Sequence, residues 1–240
     1  MKVGPVPRSH RLALVLALCG AAAAPDAARA QAPVVVELFT AQGCAACPPA
    51  DAFLAELATR ADVIALALHV DYWDYIGWRD TFAQGAFTER QKAYARAAGA
   101  RTIYTPQMVV QGSEAMPGTR SEAVTARILE MAAAPRTVLL ELKGSGEGAR
   151  LALRPAAGPT GAARVHLVRY APRVDVAIGA GENAGRWLEG HNIVLSWETL
   201  AEWDGSSALE LEVPLPGAAP AVAIVQRADQ GAILGALRLR

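Results

Sequence analysis

Hydrophobic and polar positions divide this chain into two textures. Val34 to Phe39 is β-branched and apolar on both faces except at Glu37, and Asp62 to Val70 is almost as apolar. Short runs without polar alternation predict strands buried on both faces, as in a parallel sheet. Between them, Ala45 to about Thr59 places Ala50, Phe53, Leu54 and Leu57 near one side and predicts a helix. Strand, helix and strand form a β-α-β unit, whose crossover is right-handed. Asp71 to Phe87 is aromatic and irregular. A second helix is expected from a capping box at Thr88–Gln91 to a stop at Gly99. Gln107 to Val110 predicts a third strand and Glu114 to Met116 a short return. A third helix is expected from near Thr119, with Glu122 as its capping partner, to Pro135.

Beyond Pro135 the texture changes. Thr137–Leu142, Ala149–Leu153, Arg164–Tyr170, Val174–Ile178, Asn192–Trp197, Leu209–Val213, Ala221–Gln226 and Ile233–Leu239 are short, often alternating, and separated by Gly and Pro. Such runs predict a small all-β, sandwich-like module. The expected organisation is therefore an α/β domain over 31–135 and a β-rich domain over 136–240.

The first 30 residues predict a signal peptide. Lys2, Arg8 and Arg11 precede an apolar run from Leu12 to Ala24, and Ala28-Arg29-Ala30 supplies a small-x-small cleavage site. The run is too short to span a bilayer, which takes about 20 apolar residues. An exported protein, periplasmic or secreted and without stable membrane insertion, is the expectation. The leader takes four of 23 basic and one of 23 acidic residues with it, so the remaining chain carries a net charge of −3. That balance offers no electrostatic footprint for nucleic acid.

Cysteine usage carries the chemistry. With Cys19 in the leader, Cys44 and Cys47 remain, spaced C-x-x-C. In an oxidising compartment such a pair is a disulfide or a redox centre. A disulfide closing so short a loop removes little unfolded-state entropy, so it is a poor staple. A structural zinc site needs four ligands, which His69, His166, His191 or carboxylates would have to complete. At a helix N-terminus, Cys44 is placed as the attacking thiol and Cys47 as the resolving one. Ala45 and Ala46 stand between them, so no histidine in the motif stabilises a Cys44 thiolate. Pro48 and Pro49 follow, and proline disfavours helical geometry in the residue before it.

Thr105-Pro106 sits just before the third strand and is a candidate cis bend, or an ordinary trans proline at a strand start. Beside a dithiol, such a bend exposes the backbone of Thr105 to a substrate strand. Glu37, on the strand leading to the dithiol, would assist proton transfer if it faced inward, although glutamate is rarely buried and an outward position is the simpler expectation. Asp71 either lies at the sheet's ligand-gathering edge or caps a turn. Cys44, Cys47 and His69 together would form a soft ligand set suited to copper. Gly179 to Gly185 is a glycine-rich connection whose spacing does not match a dinucleotide-binding loop.

Leu38-Phe39-Thr40-Ala41-Gln42-Gly43-Cys44, Cys47-Pro48-Pro49-Ala50-Asp51, His69-Val70-Asp71-Tyr72-Trp73-Asp74, Tyr104 to Val110 and Gly181 to Arg186 together resemble the secreted family called domain of unknown function 1223. The resemblance spans nearly all of the chain after the leader. It implies a thioredoxin-like α/β fold for Val34–Ala134, followed by the small β module, and assigns no activity. The expected function is thiol–disulfide exchange by Cys44 and Cys47 on a protein or small-thiol partner, with no cofactor and no resident metal. A copper-binding module and a binding protein with a structural disulfide are the alternatives.

Overall fold

The computed structural model describes Met1, Lys2, Gly4 and residues 32–240. Nearly all of the expected signal peptide, including the cleavage site, lies outside the described residues. Residues 31–240 form one compact unit. No helix among the described residues is long and apolar enough to cross a membrane.

Strand β1 (Val34–Thr40) is buried at every position, and so is β2 (Val63–His69). They pair in parallel, Val34 opposite Val63 through Thr40 opposite His69, with α1 (Pro48–Ala58) as the crossover. Strand β3 (Gln107–Val110) runs antiparallel on the other side of β1, and β4 (Glu114–Pro117) closes that edge. Helices α2 (Gly85–Ala97) and α3 (Ser121–Ala133) complete this half. Alternating residues face opposite sides. Val34, Val36 and Leu38 therefore pack against Ala50, Leu54 and Leu57 of α1, while Val35 and Phe39 face the opposite core with Phe87 and Tyr94 of α2.

The strands after Pro135 correct the expected fold class. Strands β5 (Val138–Lys143), β6 (Arg150–Pro155), β7 (Ala163–Ala177), β8 (Trp187–Trp203), β9 (Leu209–Glu212), β10 (Ala221–Arg227) and β11 (Ile233–Arg238) do not form a module of their own. Four of them join the first sheet, giving one eight-stranded mixed sheet in the order β11-β10-β7-β8-β2-β1-β3-β4. Only β5, β6 and β9 form a second sheet. An α/β thioredoxin-like domain followed by a separate small β domain is thus not what this chain forms.

The physical reason lies at β2. Both of its faces are apolar, so it cannot end a sheet in water; an open, apolar edge is a template for aggregation. Strand β8 covers it, parallel at Ala67 opposite Ile193, and Asn192 Nδ2 donates to the Ala65 carbonyl at 2.9 Å. Beyond β8 the sheet continues, so Leu66 and Leu68 share a core with Val168, Tyr170, Val194 and Val222. The small sheet packs Leu151 and Leu153 on Val165, Leu167, Ala223 and Val225, so the sandwich expected at the C-terminus borrows its second layer from the shared sheet.

Two expected segments merge. Arg164–Tyr170 and Val174–Ile178 are one 15-residue strand, β7, with a register shift at Arg169/Tyr170 where the hairpin leaves the sheet. Its far end, with the start of β8, reaches back beside α1.

Candidate active site

Chain geometry fixes the dithiol at the carboxyl end of β1. The strand ends at Thr40, a turn closes with Cys44 N donating to the Ala41 carbonyl at 3.1 Å, and α1 begins at Pro48 with Cys47 as its N-cap. Sequence periodicity placed the helix start at Ala45; the structure moves it three residues on. Prolines are well suited to the first helical positions, where no N–H is needed, and poorly suited to the helix interior, where a start at Ala45 would have put Pro48 and Pro49. Cys44 and Cys47 are joined by a disulfide, with Cα atoms 5.4 Å apart. They are 1 % and 0 % exposed, whereas Ala45 and Ala46 between them are exposed.

Aromatic residues of the following segment shape the surroundings. Trp73 and Tyr72 pack on the cluster that holds both cysteines. Trp73 Nε1 donates to Thr105 Oγ1 at 2.7 Å, which ties Thr105 to the same cluster. The Thr105-Pro106 peptide is cis. Pro106 accepts from the Gly118 amide at 2.9 Å, and Gly118 is wedged among Pro106, Ala50 and Leu38. Gly43 is also closely packed: a Cβ there would lie 2.9 Å from Ile76 Cδ1.

A loop remote in sequence completes the site. Between β7 and β8, Asn183 is buried and its Nδ2 donates to the carbonyls of Gln42 at 2.8 Å and Cys44 at 3.1 Å. Arg186 donates to Asn183 Oδ1 at 2.7 Å and so fixes which end of the amide faces the dithiol. Glu182 Oε2 accepts from the Ala45 amide at 3.3 Å. Gly181, with φ +76°, also sits against Ile76, as Gly43 does. None of these residues was expected at the site. Gly181 to Arg186 was distinctive as a motif, but its pattern reads as a glycine-rich connection, and only the fold brings it 137 residues back to Ala45.

A buried polar cluster underlies the turn. His69 Nδ1 and Asp80 Oδ2 lie 2.7 Å apart, and Asp80 also accepts from the Gln42 amide at 2.8 Å. Burial alone would raise the Asp80 carboxyl, but hydrogen bonds from His69 and from the Gln42 and Phe82 amides outweigh it and hold it below the usual carboxylate range. Gln42 Oε1 in turn accepts from Trp78 Nε1 at 2.8 Å. Asp51, in the first turn of α1, lines a small cavity with His69. Burial pushes its carboxyl up to about 6, against the opposing influence of His69.

The remaining residues singled out by sequence lie elsewhere in the network. Glu37 faces inward and is 0 % exposed, contrary to the simpler expectation. Arg90 grips it with Nε at 2.6 Å and Nη2 at 3.1 Å, and the Tyr94 hydroxyl donates to it at 2.6 Å. Its lone pairs are engaged by α2. Asp71 accepts from Thr88 Oγ1 at 2.6 Å and so anchors the first turn of α2, the turn-capping alternative. The copper set of Cys44, Cys47 and His69 is not assembled: His69 pairs with Asp80, and among the described residues no three His, Cys, Asp or Glu side chains gather as metal ligands would.

A family model described as "Protein of unknown function (DUF1223)" matches residues 35–226. Protein AGR_C_4864 from Agrobacterium tumefaciens has a similar crystal structure, with 30% sequence identity and a TM-score of 0.73 over 86% of this chain and 93% of that one. HBP35 of Porphyromonas gingivalis shares the fold at 18% identity and a TM-score of 0.60, over 87% of this chain and 74% of that one. A comparison with curated proteins finds no significant match.

Proposed function

The chain belongs to the family of proteins of unknown function DUF1223, and from that premise we propose that it is an exported thiol–disulfide oxidoreductase working through Cys44 and Cys47. One observation carries the proposal: the two cysteines left after the leader are bonded to each other in the turn that opens α1. A three-residue separation stabilises a fold little, so redox exchange explains the pair better than stapling does.

In the exchange reaction, the Cys44 thiolate attacks one sulfur of a substrate disulfide. A mixed disulfide forms, and the other substrate sulfur leaves as a thiolate. Cys47, as thiolate, then attacks Cys44 Sγ and releases the second substrate sulfur. Two electrons pass to the substrate, and the reverse sequence oxidises a dithiol. Thr105 and Pro106 are the proposed substrate-binding positions, because Trp73 links Thr105 to the cluster around the dithiol. A protein or small thiol is the proposed partner. Glu37 and Asp71 have no assigned part in proton transfer, since Arg90 and Thr88 occupy them.

Burial of both cysteines favours one other reading, a permanent cross-link in a binding protein. The reduction potential separates the two. Equilibration of the protein in thiol buffers, with free thiols counted by alkylation, is expected to give a value between about −120 and −270 mV. A value below about −300 mV with slow exchange identifies a permanent bond and ends the catalytic reading. Cys44→Ser is expected to abolish exchange and Cys47→Ser to trap mixed disulfides. Equal exchange by both variants and the parent protein sinks the assignment of roles.

A further inference from the structure

The backbone amides of the dithiol turn bear on the direction of electron flow. A Cys44 thiolate at a helix start normally draws on unpaired N–H groups of the first turn. Here Pro48 and Pro49 have none. The Ala50 and Asp51 amides donate to the Cys47 carbonyl at 2.9 and 3.1 Å, and the Cys47 amide donates to the Cys44 carbonyl at 3.2 Å. The Ala45 amide donates to the Glu182 carboxylate. From Ala45 to Asp51, only the Ala46 amide has no acceptor among the described residues. Glu182 does more than occupy a donor. It places an exposed negative charge on the backbone amide that follows Cys44, held there by its neighbour Asn183, which is anchored to the Gln42 and Cys44 carbonyls. A carboxylate beside a thiol disfavours the thiolate and leaves the uncharged disulfide unaffected.

We propose that Glu182 is a positioning residue that biases the Cys44–Cys47 pair toward the disulfide, and that the reduced protein therefore serves as an electron donor to substrate disulfides. This deepens the oxidoreductase reading and rests on it for the substrate. The step balances as two electrons and two protons from the Cys44–Cys47 dithiol to one substrate disulfide, which becomes a dithiol. An external dithiol reductant then restores the pair by the same exchange.

The test compares the intact mature protein with Glu182→Gln, Glu182→Ala and a control, Glu189→Gln. Glu189 lies on the same hairpin but is engaged by Arg173 and His191. Each protein is equilibrated in dithiothreitol and in glutathione buffers, and the Cys44 pKa is read from the pH dependence of alkylation. The parent protein is expected to titrate at the reducing end of the range given above, readily with dithiothreitol and only in part with glutathione. At a pH above the Cys44 pKa, where the thiolate is the populated form, Glu182→Gln is expected to shift the equilibrium toward the dithiol by roughly three- to tenfold, which is about 15–30 mV for a two-electron couple, and to lower the Cys44 pKa; at neutral pH the shift is expected to be less than about twofold. Glu182→Ala, which also frees the Ala45 amide, shifts it further, and Glu189→Gln leaves it in place. The Gln effect shrinks in high salt, as an exposed charge requires. An unchanged equilibrium in both Glu182 variants overturns the proposal, as does a parent protein that glutathione fully reduces. Slow exchange in every protein, with the Glu182 shift intact, refutes catalysis and upholds the electrostatic bias.

Discussion

At the scale of single residues, three buried titratable groups carry distinct consequences. Glu37 and Arg90 form an ion pair whose carboxylate is wholly buried, so removing one partner strands a charge. Arg90→Met is expected to cost about 3–5 kcal/mol in denaturant unfolding, and Glu37→Met with Arg90→Met together to recover most of it. Arg90 also lies 3.7 Å from the centre of the Trp197 ring, so a residue from β8 senses the same change. His166 is held neutral by burial and by the Arg90 charge, its pKa lowered to about 3. The unfolded chain takes up that proton near 6.5 and the folded one does not, so stability present above pH 6.5 is lost as pH falls toward 3. His166→Gln is expected to flatten the fall in unfolding free energy across that window by one proton. Asp51 has the opposite sign. Its folded pKa is raised from 3.8 to about 6, so stability is lost as pH rises through that interval. Asp51→Asn is expected to raise the melting temperature at neutral pH and to leave it unchanged near pH 3.8. Equal gains at both pH values would contradict the burial argument.

Helix α1 and the loop between β7 and β8 act as one unit at the scale of elements. Apolar periodicity gave α1 its buried face and its end near Thr59. Its start depended on Pro48 and Pro49, which were visible in the sequence but read there only as a constraint on Cys47. The loop was legible as a motif and not as a partner, because nothing local in Gly181 to Arg186 encodes a hydrogen bond to Cys44. Asn183→Ala removes two buried bonds and leaves the Gln42 and Cys44 carbonyls without those donors. The expected loss is about 1–3 kcal/mol in the oxidised protein, read from the denaturant midpoint at constant slope. A midpoint unchanged by the substitution would show that the loop does not hold the turn.

For the whole molecule, the continuous sheet predicts that residues 31–135 do not fold alone. Cutting after Pro135 exposes the β2 edge and uncovers Leu66 and Leu68, which pack in one cluster with Val168, Tyr170, Val194 and Val222. The fragment is expected to give poorly dispersed amide resonances and to aggregate. A well-dispersed, monomeric fragment would mean that the first half closes its own edge. Arg238 reinforces the join, donating from β11 to the carbonyls of Arg60, Ala61 and Val63.

Sequence by itself determined most of the elements and the place of the C-x-x-C pair after the first strand. Strand runs apolar on both faces, helix faces and the C-x-x-C pair are local properties, fixed by side-chain periodicity and spacing, whereas the cis state of Thr105-Pro106 was one of two openings the sequence left. Tertiary structure alone decided how strands beyond Pro135 pair, which way Glu37 faces, and what touches the dithiol. A strand's own residues state that both its faces must be covered, but not which strand covers its edge. Likewise a carboxylate's burial depends on an arginine 53 residues away, and the Ala45 amide meets Glu182 only once the long hairpin has joined the sheet.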